Sequence, residues 1–152
     1  MAKPYRNSQF AWIYFVPLIV LVPFVVIATS AENEWWIGLI VAAALAVVDG
    51  MFSRLTTKVE HGEFRAAFTY GWPRRAIPIS AIQSHERARS TWWHGWGIRL
   101  IPGGMLYSVW GLDTIEIHYR DAKKGKDRLF RIGTNDIDGL DAAFTAARGS
   151  RT

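Results

Sequence analysis

The 152-residue chain contains no cysteine. Disulfides, thiolate nucleophiles and cysteine-ligated metals are excluded, while the compartment stays open. The four histidines, His61, His85, His94 and His118, lack the spacing of a zinc-binding helix. Ser80, Ser84 and Ser90 occupy no nucleophile elbow. Asp113 and Glu116 are three residues apart, so on a strand they point to opposite faces and do not pair. Gly95 and Gly97 have no third glycine in register and precede a strand, so they form no dinucleotide fingerprint. With no acid, base and nucleophile to assemble, no enzymatic role is expected. Nor is a cofactor, a metal or a small-molecule substrate. No internal repeat or low-complexity segment is visible.

Charge is missing from one stretch altogether. Phe10–Thr29 holds no charged residue across 20 positions. As a helix it spans roughly 30 Å, the thickness of a bilayer's hydrocarbon. Pro17 and Pro23 lie inside it, as membrane helices tolerate. A second run, Trp35–Phe52, is uncharged until Asp49 in its last turn, where a carboxylate sits at headgroup level. A cleavable signal peptide competes for the first run, with Ala28–Ala31 as its cleavage site. The length of the run and the second run close behind it argue against that reading. Five residues join the runs, which forces an antiparallel helical hairpin. Gly38, Ala42, Ala43 and Ala46 give the second helix a small-residue face suited to close packing. Trp12, Tyr14, Trp35 and Trp36 lie near the span ends, where amphipathic rings prefer to sit.

Basic residues set the orientation. Lys3 and Arg6 precede the first run, Arg54 and Lys58 follow the second, and the link carries only Glu32 and Glu34. The positive-inside rule places both termini in the cytoplasm. The expected organisation is a tail (1–9), two transmembrane helices (10–29 and 35–52) joined by an external loop (30–34), a cytoplasmic domain (53–148) and a tail (149–152). The part after Asp49 has 16 of the 18 basic residues and 10 of the 13 acidic ones, a net of +6. Beside an anchor, that excess points to anionic lipid headgroups rather than to nucleic acid.

The domain is read as short strands followed by one helix. Arg54–Glu60 and Glu63–Tyr70 flank His61-Gly62, a tight hairpin turn. Arg74–Ile79 is a short extended edge, and Ile79–Arg89 is ambiguous. Ile98–Pro102 and Met105–Val109 flank Gly103-Gly104. Thr114–Arg120 alternates, with Ile115, Ile117 and Tyr119 on one face, and pairs with Arg128–Ile132 across Asp121–Asp127. Thr134-Asn135-Asp136 offers N-caps for a helix whose apolar face is Ile137, Leu140, Phe144 and Ala147.

These residues carry a resemblance. Gly95-Trp96-Gly97-Ile98-Arg99, Pro102-Gly103-Gly104, Tyr107, Val109, Gly111, Ile115, Ile117, Arg131-Ile132-Gly133-Thr134 and Leu140 resemble small bacterial membrane proteins with a pleckstrin-homology (PH)-like domain behind one or two membrane helices. The likeness covers roughly residues 50–148. It implies a bent antiparallel barrel of about seven strands capped by a C-terminal helix, and a platform for lipids, peptides or subunits rather than an enzyme.

Two basic segments are candidate contacts. Arg87, Arg89, Trp92, Trp93 and Trp96 fall within ten residues, a pattern shared by interfacial loops, protein hot spots and small-domain cores. Lys123, Lys124 and Lys126 form a basic hairpin tip, most simply a solvated turn. The expected role is a protein-interaction or accessory subunit at the inner membrane's cytoplasmic face, with a membrane protein or a second copy as partner. Anionic-lipid binding is the alternative.

Overall fold

A computed structural model describes residues 4–11, 13, 15–31, 34–91, 97–109 and 111–149. In chain order the elements are β1 (Tyr5–Phe10), α1 (Phe15–Ser30), α2 (Trp35–Phe52), β2 (Arg54–Glu60), β3 (Glu63–Phe68), β4 (Arg74–Pro78), a 3-10 turn (Ile79–Ala81), β5 (Ile82–Arg89), β6 (Gly97–Ile101), β7 (Gly104–Ser108), β8 (Asp113–Asp121), β9 (Lys126–Gly133) and α3 (Ile137–Gly149). The N-sheet has the order β1-β2-β3-β4 and the C-sheet the order β5-β8-β9-β7-β6.

Period-two alternation explains most strands. Leu55, Val59, Phe64, Ala66, Phe68 and Ile77 point inward from the N-sheet, and Ile115, Ile117, Tyr119, Phe130 and Ile132 from the C-sheet. Between them Phe64 meets Phe130 at 6.0 Å and Phe144 of α3 at 5.2 Å. The turn between β2 and β3 places His61 and Gly62 at positive φ, as a two-residue hairpin of this twist requires. Asp136 caps α3, its carboxylate accepting from the Gly139 amide at 3.0 Å. Leu140 and Phe144 are fully buried, with Ile137 and Ala147 packed beside them.

Three features depart from the sequence-based expectations. The described strands form two open sheets, not a closed barrel, and number nine rather than about seven. Within the C-sheet β7 and β9 run parallel, with Gly104 opposite Leu129 and Tyr107 opposite Ile132. Residues 5–10, expected as a tail and the start of a helix, form strand β1, and the helix begins at Phe15.

Strand β1 changes the meaning of the helical hairpin. It pairs with β2 along its whole length, from Tyr5 opposite Val59 to Phe10 opposite Arg54. The Ala11 amide donates to the Ser53 carbonyl at 2.8 Å, one step further. The two helices are thus an insertion in the turn of one β-hairpin. Helix α2 meets the domain through its last turn, where Phe52 lies edge-on to Phe68 at 5.2 Å and the Thr69 amide donates to Met51. Gly38 is buried against Val26 and Thr29 of α1. Helix α2 is long and apolar enough to cross a membrane, and Leu18–Ser30 of α1 is a shorter apolar helix. Their large side chains, among them Ile19, Phe24, Ile27, Leu39 and Ile40, are exposed.

Candidate functional site

The domain has two ends, and the strand register places Arg54 and Arg89 at one and the Lys123–Lys126 turn at the other. The helix end carries the chain's passage into α1 and out of α2. Phe10 and Arg54 lie there, and so does the β3–β4 turn with Tyr70, Gly71 and Trp72, beside the last turn of α2. Gln9 joins the C-sheet to the same end, its amide donating to the Gly133 carbonyl at 2.8 Å. Gly133 is opposite Thr114 at the start of β8, and Arg89 is opposite Asp113. Ser90, Gly97 and Ser108 also belong to this end.

Lys123, Lys124 and Lys126 stand at the other end, on the exposed β8–β9 turn. Their turn is held by Asp121, whose carboxylate accepts from the Lys123 amide at 3.0 Å and faces Arg128 at 3.5 Å. From Asp113 to Asp121 the strand covers roughly 26 Å at about 3.3 Å per residue. Arg89 and the lysine turn, expected as parts of one contact surface, therefore lie at opposite ends of β8.

Arg87 is committed elsewhere. Its guanidinium reaches Asp138 at 2.7 Å and Asp141 at 2.8 Å, both on α3. Hydrogen bonds to Asp141 and Asp138 push the Arg87 pKa above its ordinary value. His85, two residues earlier on the same face, meets Asp141 at 3.1 Å and packs on Phe144 at 5.3 Å. These side chains tie α3 to β5, and the exposed Arg87 guanidinium is shared with two carboxylates. Arg89 is exposed at the helix end. Trp92, Trp93 and Trp96 lie outside the described residues, although Ser90 and Gly97 on either side are at the helix end.

Sequence reasoning missed the outer face of the N-sheet. Arg6 is opposite Lys58, and Lys58 is opposite Arg65. Alternation alone puts Lys58 and Arg65 on the solvent face, but only the register makes them neighbours. Two further polar devices depend on long-range contact. Glu116 faces Arg131 across the β8–β9 pair, accepting from its Nε at 3.0 Å, with His118 Nε2 at 3.1 Å. The Tyr5 hydroxyl donates to the Asp136 carboxylate at 3.0 Å, and Asn7 donates to Asn135 at 2.7 Å. Burial and Asp136 push the Tyr5 phenol up to about 12. Burial also raises Tyr107, whose ring packs edge-on to Phe130. Arg75 donates to the Tyr119 hydroxyl, bridging the two sheets.

Chemically, the helix end combines cations (Arg54, Arg74, Arg89) with exposed aromatic rings (Phe10, Tyr70, Trp72). Among the described residues no three His, Asp or Glu side chains are grouped to hold a metal ion. Comparison with protein-family models and with curated proteins gives no match to this chain.

Proposed function

We propose that the chain is a non-enzymatic, membrane-anchored module with a PH-like domain, acting as a protein-interaction or accessory subunit at the cytoplasmic face of the inner membrane. The observation that carries this reading is the insertion of α1 and α2 between two paired strands. Phe10 opposite Arg54 brings both ends of the helical pair to one point of one sheet. A hairpin crossing twice returns to its starting side, which that pairing demands. The exposed apolar side chains of both helices suit lipid, and the basic residues at the helix end suit the cytoplasmic side. Of the PH-like expectation the fold shares the mainly-β sheets and the C-terminal helix over the core, and not the closed barrel.

The absence of cysteine makes the test clean. Single cysteines are introduced as Glu34→Cys in the link and Lys124→Cys at the far turn. In intact cells a membrane-impermeant maleimide is expected to label the first, and the second only after permeabilisation. External labelling of Lys124→Cys overturns the topology. Native mass spectrometry of the full chain in mild detergent tests the role, with a stoichiometric protein partner or a second copy expected. A monomer carrying lipid alone favours the alternative, an anionic-lipid binding module, to which Arg54, Arg74 and the exposed Tyr70 and Trp72 also point.

A further inference from the structure

A depression of ≈ 450 Å³ opens on the outer face of the N-sheet. It is lined by the small side chains Thr56, Ala67 and Ala76 and by the longer Lys58, Arg65 and Arg74, with the carboxylate of Glu63 among them. The register explains the shape. Thr56, Ala67 and Arg74 form one cross-strand row, and Lys58, Arg65 and Ala76 form another two residues further on. Small residues in the middle of a rim of long cations leave a hollow.

The positive charges in and beside this hollow are only partly compensated. Arg6, Lys58 and Arg65 stand side by side on three adjacent strands, where like charges repel. Glu63 pairs with Arg65 at 2.7 Å, while Glu60 only approaches Lys58, at 3.9 Å. Arg74 has no carboxylate within ion-pair distance among the described residues. A basic row of this kind costs stability and is relieved by a bound anion.

Position selects the anion's source. The Thr56–Ala67–Arg74 row lies two residues beyond Arg54, the first strand residue after α2, so about 7 Å from the helix exit. The polar layer of each leaflet is roughly 5–8 Å thick, from a hydrocarbon core of about 30 Å inside a bilayer of about 40–45 Å. On the anchor reading, the mouth of the depression lies close to the headgroup layer, within reach of lipid phosphates for a long cationic side chain. Tyr70 and Trp72, 75% and 65% exposed, sit on the turn at this mouth, as interfacial rings do. A tethered domain also meets headgroups at high effective concentration, which an open hollow needs to hold a ligand.

We propose that this depression binds the phosphate headgroup of an anionic phospholipid in the leaflet facing the domain. Arg74 meets the phosphate first and Lys58 takes an outer oxygen, while Arg65 stays paired with Glu63 at the edge of the site. The site rests on the membrane-anchor reading and adds to it a specific lipid class. The test uses the full-length chain in mild detergent, offered equal amounts of phosphatidylglycerol and phosphatidylcholine and analysed by native mass spectrometry. The wild type is expected to retain phosphatidylglycerol preferentially. Arg74→Gln is expected to cut that preference about 5-fold, and Arg74→Gln with Lys58→Gln about 25-fold. Lys123→Gln with Lys124→Gln, at the far end, is expected to leave it unchanged. Equal retention by wild type and the depression variants overturns the site, as does an equal loss in the far-end variant. Displacement of the lipid by millimolar inorganic phosphate overturns the lipid assignment. Arg74 is exposed and unpaired, so Arg74→Gln at an unchanged melting temperature decides the matter if the double variant does not fold. Failure of Glu34→Cys labelling removes the anchor itself, whereas an inserted chain with no lipid preference removes only the site.

Discussion

Tyr5 and Arg87 show how single polar side chains hold the edges of this small domain. Tyr5 ties the first strand to the cap of α3 through Asp136. Tyr5→Phe is expected to lower stability by about 1 kcal/mol, the usual worth of such a bond, read as a shift in melting temperature. The pH dependence has a defined sign. Because the folded-state pKa is raised to about 12, the bond's stabilisation is intact below pH 10 and is lost as pH rises toward 12. The phenolate absorbance of wild type minus Tyr5→Phe should titrate near that value, and a difference titrating near 10 would show that β1 does not hold Tyr5. Arg87→Gln is expected to lower the melting temperature while leaving anionic-lipid retention unchanged, because its guanidinium is engaged by Asp138 and Asp141. Reduced retention at unchanged stability would restore Arg87 to the contact surface.

At the scale of elements, patterning and its limits are both visible. The β2–β3 and β8–β9 hairpins and the buried face of α3 were legible, because Ile115, Ile117 and Tyr119, or Leu140 and Phe144, repeat at the element's own period. Strand β1 was not. Its inward positions after Tyr5 are Asn7 and Gln9, which look solvated until the 133–136 segment arrives to bond them. The parallel β7–β9 pair escaped for a related reason, since a local turn at Pro102-Gly103 reveals the neighbour β6 and not the distant β9. Gly104 now explains itself: a Cβ there would run into the Leu129 carbonyl. Gly104→Ala is therefore expected to pry β7 from β9 at roughly 1–3 kcal/mol, measured by chemical denaturation, against a near-neutral effect if β7 sits elsewhere. The anion depression was hidden in the same way. Lys58, Arg65 and Arg74 lie 7 and 9 residues apart along the chain, and only the strand register gathers them.

For the whole molecule, the decisive fact is that the helical pair interrupts a hairpin whose strands already match. Replacing residues 12–52 by Asn-Gly joins Ala11 to Ser53 through the turn such strands favour. The product is expected to fold without detergent and to keep the Gln9–Gly133 and Tyr5–Asp136 bonds, as amide exchange protection at β1 would report. A fragment beginning at Arg54 lacks that strand, leaves β2 as a bare edge and is expected to aggregate. The same connectivity constrains biogenesis. The first strand leaves the ribosome more than 40 residues ahead of its mate, and the two can zip together only in a shared compartment. If the helical pair crosses a bilayer as proposed, a chain that threads only one helix would leave the halves of its hairpin on opposite faces, with no sheet to complete. With the anchor proposed above, closure of the N-sheet would require both helices to have crossed, so a correctly threaded chain alone could complete that sheet.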